Sequence, residues 1–433
     1  MAESWSRERP LRWWGWGYLD QHYDLEGREA FLPFLAERLA LAGLEPLPTP
    51  PTFDLSHIDL PAPRVAPGLL KSLEELVGWE NLSIGHESRL THALGKGYCD
   101  LVRLRQGRIA HPPDLVVYPQ DERQVGEILL LAEQERYAVI PFGGGTSVVG
   151  GVEPVAARGL QGAISLDLRR MDQLLEVDGT SRIATIQAGI RGPALEAALA
   201  RQGYTLGHFP QSFEFSTLGG WIATRSAGQQ STRYGKIEEM VVSLRIFTPR
   251  GPLETRKVPA SASGPSLKAL WVGSEGTYGI ITQASLTIHP QPARRDYQGL
   301  WFRSFSEGLT AIREIIQRGL RPATVRLSDP EETQATVALR RLPTGFKALK
   351  ERLGRWLLRL KGYPLTSGCL LILGFEGEEM AVERGMQAAL EICVRHGGYP
   401  LGERPGQAWY RERFALPYLR DLFLDWGLMV DTV

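Results

Sequence analysis

Between residues 141 and 151 the chain reads PFGGGTSVVGG, directly behind an apolar strand candidate at 137–141. Backbone this rich in glycine reaches positive φ and lets another group come close, because no side chain stands in the way. Successive N–H groups in such a loop can point into one concavity, which suits a diphosphate. The run does not close with Gly-Lys-Ser/Thr, so it is no Walker loop. It also departs from the Rossmann spacing: Gly143 and Gly145 fit, but Val148 holds the third glycine position. Alone, the run is equally compatible with a plain structural turn.

Three downstream segments change that balance. Residues 207–222 read GHFPQSFEFSTLGGWI, residues 224–228 read TRSAG and lead to RYGKIEE at 233–239, and residues 273–281 read GSEGTYGII. Each sets glycine beside small hydroxyl residues in a turn context. A large planar cofactor needs such a lining, with close backbone approach and many neutral hydrogen bonds.

The hydrophobic periodicity gives three regions. Residues 1–110 hold Trp5, Trp13, Trp14 and Trp16, a helical pattern at 29–42, and a proline-rich stretch at 45–67 that should run extended. The tryptophans could anchor at a membrane interface or pin the segment to the body of the protein. The neighbouring glycines speak against a long amphipathic helix and for pinning. Residues 111–290 alternate strands (114–118, 137–141, 163–168, 174–177, 182–188, 241–248, 279–289) with helices. Asp121 opens one helix, with Gln124 completing a capping-box pattern and Val125, Ile128, Leu129 and Ala132 on one face. Pro193 starts another, which stops near Gly203. From residue 291 the pattern restarts with a strand at 297–303, a helix at 306–318 and strands at 325–327 and 369–375. A basic helix at 345–361 reads as a solvated face. The fold class is α+β with mixed sheets: an N-terminal helical region (1–110), a cofactor domain (111–290) and a substrate or cap domain (291–433).

Lys+Arg and Asp+Glu both number 49, so no basic excess points to nucleic acid. Cys99, Cys369 and Cys393 are widely spaced and form no CxxC, which argues against disulfides or structural zinc and fits buried small hydrophobes in a reducing compartment. The histidines show no metal spacing, so no metal is expected. No apolar run reaches bilayer-spanning length and the first residues have no signal-peptide core, which gives the cytoplasm as the expected location.

The loop and its companions, with RWWGWG at 12–17, VRLS at 325–328 and LPYLRD at 416–421, resemble the flavin proteins of the vanillyl-alcohol oxidase and para-cresol methylhydroxylase superfamily. Within it they resemble alkyldihydroxyacetonephosphate synthase and its bacterial relatives. The resemblance implies a two-part FAD-binding domain. In it Pro141, Phe142, Gly143, Gly144, Gly145, Thr146, Ser147 and Val148 hold the diphosphate. Gln211, Ser212, Phe213, Glu214, Phe215, Ser216 and Thr217, then Thr224, Arg225, Ser226 and Ala227, then Glu275, Gly276, Thr277, Tyr278, Gly279, Ile280 and Ile281 wrap the remainder. His208 would sit near the flavin and tune it. Ser274, Arg326 and Arg420 match positions that matter for activity, the arginines as forks for a phosphate or carboxylate. Each has an ordinary alternative: a turn-capping histidine, arginines in salt bridges. Thr146 stands where covalently flavinylated relatives carry histidine, so the FAD should be non-covalent.

The resemblance further implies a phosphate- or carboxylate-bearing substrate of lipid character, peripheral membrane contact and a homodimer. Family members continue well past residue 433 into a part with an acid/base tyrosine and a histidine-rich segment. The expectation is therefore a cap domain incomplete at its C terminus, without the full catalytic set. Three functions follow. The first is exchange of the acyl group of acyl-dihydroxyacetone phosphate for a long-chain alcohol, with the flavin as nucleophile and electron sink and no net redox change. The second is oxidation of a 2-hydroxy acid by the same FAD domain, and the third a flavin-binding remnant without turnover. Fold does not choose among them.

Overall fold

The computed structural model describes residues 9–41, 57–342 and 345–430. They fall into two compact units. The first holds residues up to Gln21, then 57–228 and 235–290. The second holds 22–41, 229–234 and the described residues from 291 on. Residues 1–110 therefore form no third unit; their described parts are shared between these two. Trp5 and residues 42–56 of the proline-rich stretch lie outside the described residues.

Unit 1 contains two main sheets. In the first, β1 (Leu82–Ser83), β2 (Leu115–Val117), β3 (Tyr137–Phe142) and β4 (Gly162–Asp167) stand in the order β1-β2-β4-β3. β4 runs parallel to both β2 and β3, while β1 is antiparallel to β2. Parallel strands need a crossover connection, and from β2 to β3, which flank β4, this is the helix Glu122–Glu135. It starts as its sequence requires: the Asp121 carboxylate accepts from Gln124 N at 2.8 Å, and the Gln124 side chain accepts from Gln120 N at 2.8 Å, one residue before the cap itself. Val125, Ile128, Leu129 and Ala132 are buried on one face, as the periodicity indicates.

The second sheet is antiparallel. It runs β5 (Leu174–Asp178), β6 (Ile183–Gln187), β10 (Ile280–Thr287), β8 (Val241–Thr248), β9 (Gly251–Glu254), with β7 (Tyr204–Thr205) and β11 (His289–Pro290) paired separately. Trp13 and Trp16 are buried in unit 1, and Trp16 lies 6.4 Å from the Phe215 ring, so the described tryptophans at the start of the chain pin their segment. The helix expected at 29–42 spans Phe31–Arg38.

Unit 2 is built on an antiparallel sheet in the order β13 (Thr324–Leu327), β14 (Cys369–Gly377), β12 (Arg294–Phe302), β15 (Tyr399–Gly402). Alternation along the strands divides its faces. Leu300, Phe302, Leu371, Leu373 and Phe375 turn to a core completed by the helices Phe305–Gln317 and Glu379–Arg395. Trp301, Leu370 and Ile372 turn the other way, to Leu358 and Tyr363. Cys369 and Cys393 are buried and Cys99 is exposed. No described helix is long and apolar enough to cross a membrane.

Candidate functional site

Parallel strands β3 and β4 end level, with Phe142 paired to Asp167. The chain leaving β3 becomes the glycine loop, and the chain leaving β4 continues at Leu168. Ligands of parallel sheets bind beyond the carboxyl ends of the strands. A cavity of about 330 Å³ lies there, wholly within unit 1. All eight residues from Pro141 to Val148 line it. So do Ser212, Ser216, Thr217, Thr224, Ser226, Glu275, Gly276, Gly279 and Ile281 from the companion segments.

The N–H groups of Gly144, Gly145, Thr146, Ser147 and Val148 donate to no acceptor among the described residues. A row of backbone donors left open to one cavity is a nest for an anion, and a dinucleotide's diphosphate is of the right kind. Elsewhere the lining is neutral apart from Glu275, with hydroxyls spaced along it. Ser212, Ser216 and Trp221 form one chain: Trp221 Nε1 donates to Ser216 Oγ at 2.6 Å, and Ser216 Oγ donates to Ser212 O at 2.8 Å. Glu275 has φ +51°, a conformation that non-glycine residues adopt reluctantly and that gathers at functional sites. These features fit a large, mostly uncharged ring system ending in a diphosphate.

At Gly144 the group that comes close is protein backbone. A Cβ on Gly144 would lie 2.0 Å from the carbonyl oxygen of Phe215. The missing side chain admits protein backbone, so that the 212–217 segment packs against the loop. Gly145, at φ +65°, provides the turn.

Several residues placed in the cofactor lining by sequence do not line the cavity. Phe213 is stacked on Trp221 with ring centroids 6.3 Å apart, and Phe215 is buried beside Trp16 and Tyr18. Ile280 is core of β10. The Arg225 guanidinium turns to Val272 O at 3.1 Å, the Thr277 hydroxyl to Ser274 O, and Tyr278 is exposed. Gln211, Glu214 and Ala227 are also outside the lining. Conversely, Val149, Gly151, Val152, Leu168, Ala188, Gly219, Gly220, Trp221 and Ala223 line it without having been singled out. Gly219, Gly220 and Trp221 belong to the 207–222 segment; Leu168 could have been found from its place after a parallel strand.

His208 stands one layer behind the lining. It is fully buried, edge-on to Trp221 at 5.0 Å, and its Nε2 lies 3.2 Å from Ser226 Oγ. Its Nδ1 has no partner among the described residues. Burial in these surroundings pushes its pKa down to about 4, so the ring is neutral at physiological pH. Ser274 is buried beside Glu275, with an Oγ that also lacks a partner among the described residues. Arg326 and Arg420 belong to unit 2. Arg326, on β13, is half exposed and already paired with Glu332; Arg420 is on the helix Leu416–Asp425.

Comparison with known proteins agrees with this layout. Residues 113–256 match the FAD binding domain family, and residues 291–433 match the C-terminal domain of FAD linked oxidases. These matches give FAD as the cofactor of the chain. The alkyldihydroxyacetonephosphate synthase of Dictyostelium discoideum is 37% identical over 404 residues, covering 92% of this chain and 66% of that protein. The synthase of Caenorhabditis elegans is 30% identical over 446 residues, covering 98% of this chain and 74% of that protein. A solved structure of alkyldihydroxyacetonephosphate synthase superposes with a TM-score of 0.86 at 35% identity, covering 97% of this chain and 80% of that one. This chain thus spans slightly less than two thirds of the length of the Dictyostelium relative.

Proposed function

This chain belongs to the alkyldihydroxyacetonephosphate synthase family, and from that premise we propose that it exchanges the acyl group of an acyl-dihydroxyacetone phosphate for a long-chain alcohol. The observation that carries the placement of the cofactor is the row of N–H groups from Gly144 to Val148, without an acceptor among the described residues, at a cavity whose lining is neutral apart from Glu275. In this reading those groups take the FAD diphosphate, and the hydroxyls of Ser212, Ser216, Thr217, Thr224 and Ser226 hold the rest. When bound, FAD supplies a nucleophile and electron sink for a reaction without net oxidation.

Neutral His208 keeps Ser226 in place and offers an uncharged hydrogen-bonding group behind it. Buried Ser274 holds the turn that carries Glu275. Arg326 and Arg420 are the proposed cations for the substrate phosphate; for Arg326 the phosphate has to displace Glu332, which a dianion can do against a single carboxylate. Homodimer assembly and peripheral membrane contact complete the reading. The second is supported by the helix Phe346–Leu360, where Leu349, Leu353, Trp356 and Leu360 are exposed beside Arg352, Arg355 and Arg359. The basic helix read from sequence as a plain solvated face thus carries uncovered apolar side chains.

The test begins with flavin. Protein loaded with FAD and precipitated with acid should release the flavin to the supernatant. The loaded protein is then given a long-chain acyl-dihydroxyacetone phosphate and a labelled fatty alcohol. Label in the ether product, with equimolar fatty acid released and the flavin oxidised at the end, supports the proposal. Anaerobic bleaching by glycolate or D-lactate without ether product would replace it with the hydroxy-acid reading. Neither product nor bleaching by folded, FAD-loaded protein would leave binding without turnover.

A further inference from the structure

The glycine loop has a back as well as a front, and the back is built by a segment far from it in sequence. Lys96 N donates to Ser147 O at 2.7 Å. A Cβ on Gly95 would come within 2.2 Å of Ser147 O, and one on Gly97 within 2.9 Å of Val148 O. The segment therefore lies flat against the loop's carbonyls. In a trans peptide the C=O and the next N–H point in opposite directions. Drawing Ser147 O backward onto Lys96 N thus turns Val148 N–H away from Lys96, among the open donors of the nest. The Lys96 ammonium is itself held by Arg12 O and Trp13 O, both at 3.1 Å, which fixes the segment from behind.

His92 completes this support at the root of the loop. Its ring lies 4.3 Å from that of Phe142, the last residue of β3 and part of the cavity lining. Its Nε2 is 2.9 Å from Asp167 Oδ2, at the end of β4, and its Nδ1 is 2.7 Å from Ser88 O. The Thr91 hydroxyl also lies 3.2 Å from Nδ1. A carboxylate has no proton to give, so Nε2 donates to Asp167. Asp167 is fully buried and also accepts from Arg169 N at 2.8 Å and Arg169 Nε at 2.7 Å. Thus one side chain ties the ends of both parallel strands from which the cavity opens, by packing on one and by a hydrogen bond to the other.

We propose that the segment 92–97, with His92 as its principal positioning residue, sets the direction of the loop's N–H groups and so controls affinity for the diphosphate part of FAD. The inference rests on the placement of FAD proposed above. It makes a distinction that a general structural role does not: the nest should suffer, and the cavity for the flavin ring should not.

The experiment titrates apoprotein with FAD and, separately, with riboflavin, which lacks the diphosphate, following flavin fluorescence. His92→Gln, whose single amide nitrogen cannot occupy both ring-nitrogen positions, should weaken FAD binding on the order of tenfold, the effect of one hydrogen bond to a carboxylate. Its riboflavin affinity should equal that of the wild type. Gly95→Ala approaches the loop from the other side of the segment, leaves the His92 cluster intact, and should show the same selective loss. Unchanged FAD affinity in both variants, or an equal loss of riboflavin affinity, overturns the inference while the FAD placement stands. Failure of the wild type to bind FAD overturns the placement and the inference together.

Discussion

Unit 1 buries two histidines against different walls of one cavity and treats them in opposite ways. His92, behind Phe142, has an acceptor at each ring nitrogen and a carboxylate partner. His208, behind Trp221 and Ser226, has one long contact at Nε2 and an Nδ1 with no partner among the described residues. The first arrangement uses both ring nitrogens for support, one on the end of β4 and one on the helix His86–Thr91 that precedes His92. The second leaves capacity unused in a place where burial makes unused capacity costly. A satisfied buried histidine is scaffold; an unsatisfied one next to a cavity is a candidate for chemistry.

The strongest way to break this contrast is at the loop between the walls. Gly144→Val puts a branched side chain where the Phe215 carbonyl already lies. Overpacking of this kind costs about 3 kcal/mol when the neighbour is backbone, so FAD affinity should fall on the order of a hundredfold while the sheets survive. Equilibrium dialysis with FAD, beside a circular dichroism melt, measures both. Unchanged affinity in a folded variant would mean that the 212–217 segment does not fix the loop.

Next comes His208 itself. Its pKa falls from the ordinary 6.5 to about 4 because burial disfavours the charged ring. Between those values the unfolded chain binds a proton that the folded protein refuses. Stability from this group is complete above pH 6.5 and is lost as pH falls toward 4, by roughly 3 kcal/mol. Urea unfolding at pH 7 and pH 4 should show that loss in the wild type and not in His208→Gln. Parallel pH dependences would remove the contrast between the two histidines.

Asp167 tests the other wall, with a smaller effect at lower pH. Burial alone would raise its pKa, but the charge of Arg169 and the hydrogen bond and charge of His92 outweigh this and leave it at about 2. A depressed carboxylate gives stability above its unfolded value of 3.8 that is lost as pH falls toward 2, here roughly 2 kcal/mol. Asp167→Asn should abolish that part of the acid unfolding. The two groups therefore separate on the pH axis, His208 between 6.5 and 4 and Asp167 below 4.

These contrasts also mark how far the sequence could be read. The glycine run, the Asp121 cap and the apolar face of the helix Glu122–Glu135 were legible because local chemistry decides them. The lining was legible where it is loop: all of residues 141–148 and the small hydroxyls after them. It misled at Phe213, Phe215 and Ile280, because a segment that borders a site sends alternate side chains into the core, and sequence does not say which. Arg326 was picked out as a cation, but its partner Glu332 is set by the way β13 meets the following helix. His92 and Asp167 went unremarked because they are 75 positions apart and only the level ends of β3 and β4 bring the cluster together.

The same opposition of satisfied and unsatisfied groups recurs in unit 2, where the expected effect is smallest. One face of its sheet is closed by the helices Phe305–Gln317 and Glu379–Arg395. On the helix Phe346–Leu360, Leu349, Leu353, Trp356 and Leu360 stay exposed at a spacing of four, three and four residues, which places them along one side. Arg352, Arg355 and Arg359 interleave with them. Apolar area with arginine beside it suits the boundary of an anionic bilayer, where side chains enter the acyl region and guanidinium groups meet lipid phosphate. Removing Leu353 and Trp356 together, as Leu353→Gln and Trp356→Gln, forfeits about 1.5 kcal/mol if half of each side chain is buried in lipid. Partitioning onto phosphatidylserine vesicles in a sedimentation assay should then drop roughly tenfold. Salt should weaken wild-type binding through the arginines, and it should weaken the double variant by the same factor, because the variant keeps every charge. FAD content should not change, since the helix belongs to unit 2 and the cavity to unit 1. Vesicle binding that ignores the two substitutions would show that the apolar stripe is not the contact, and binding that ignores salt would remove the arginines from it.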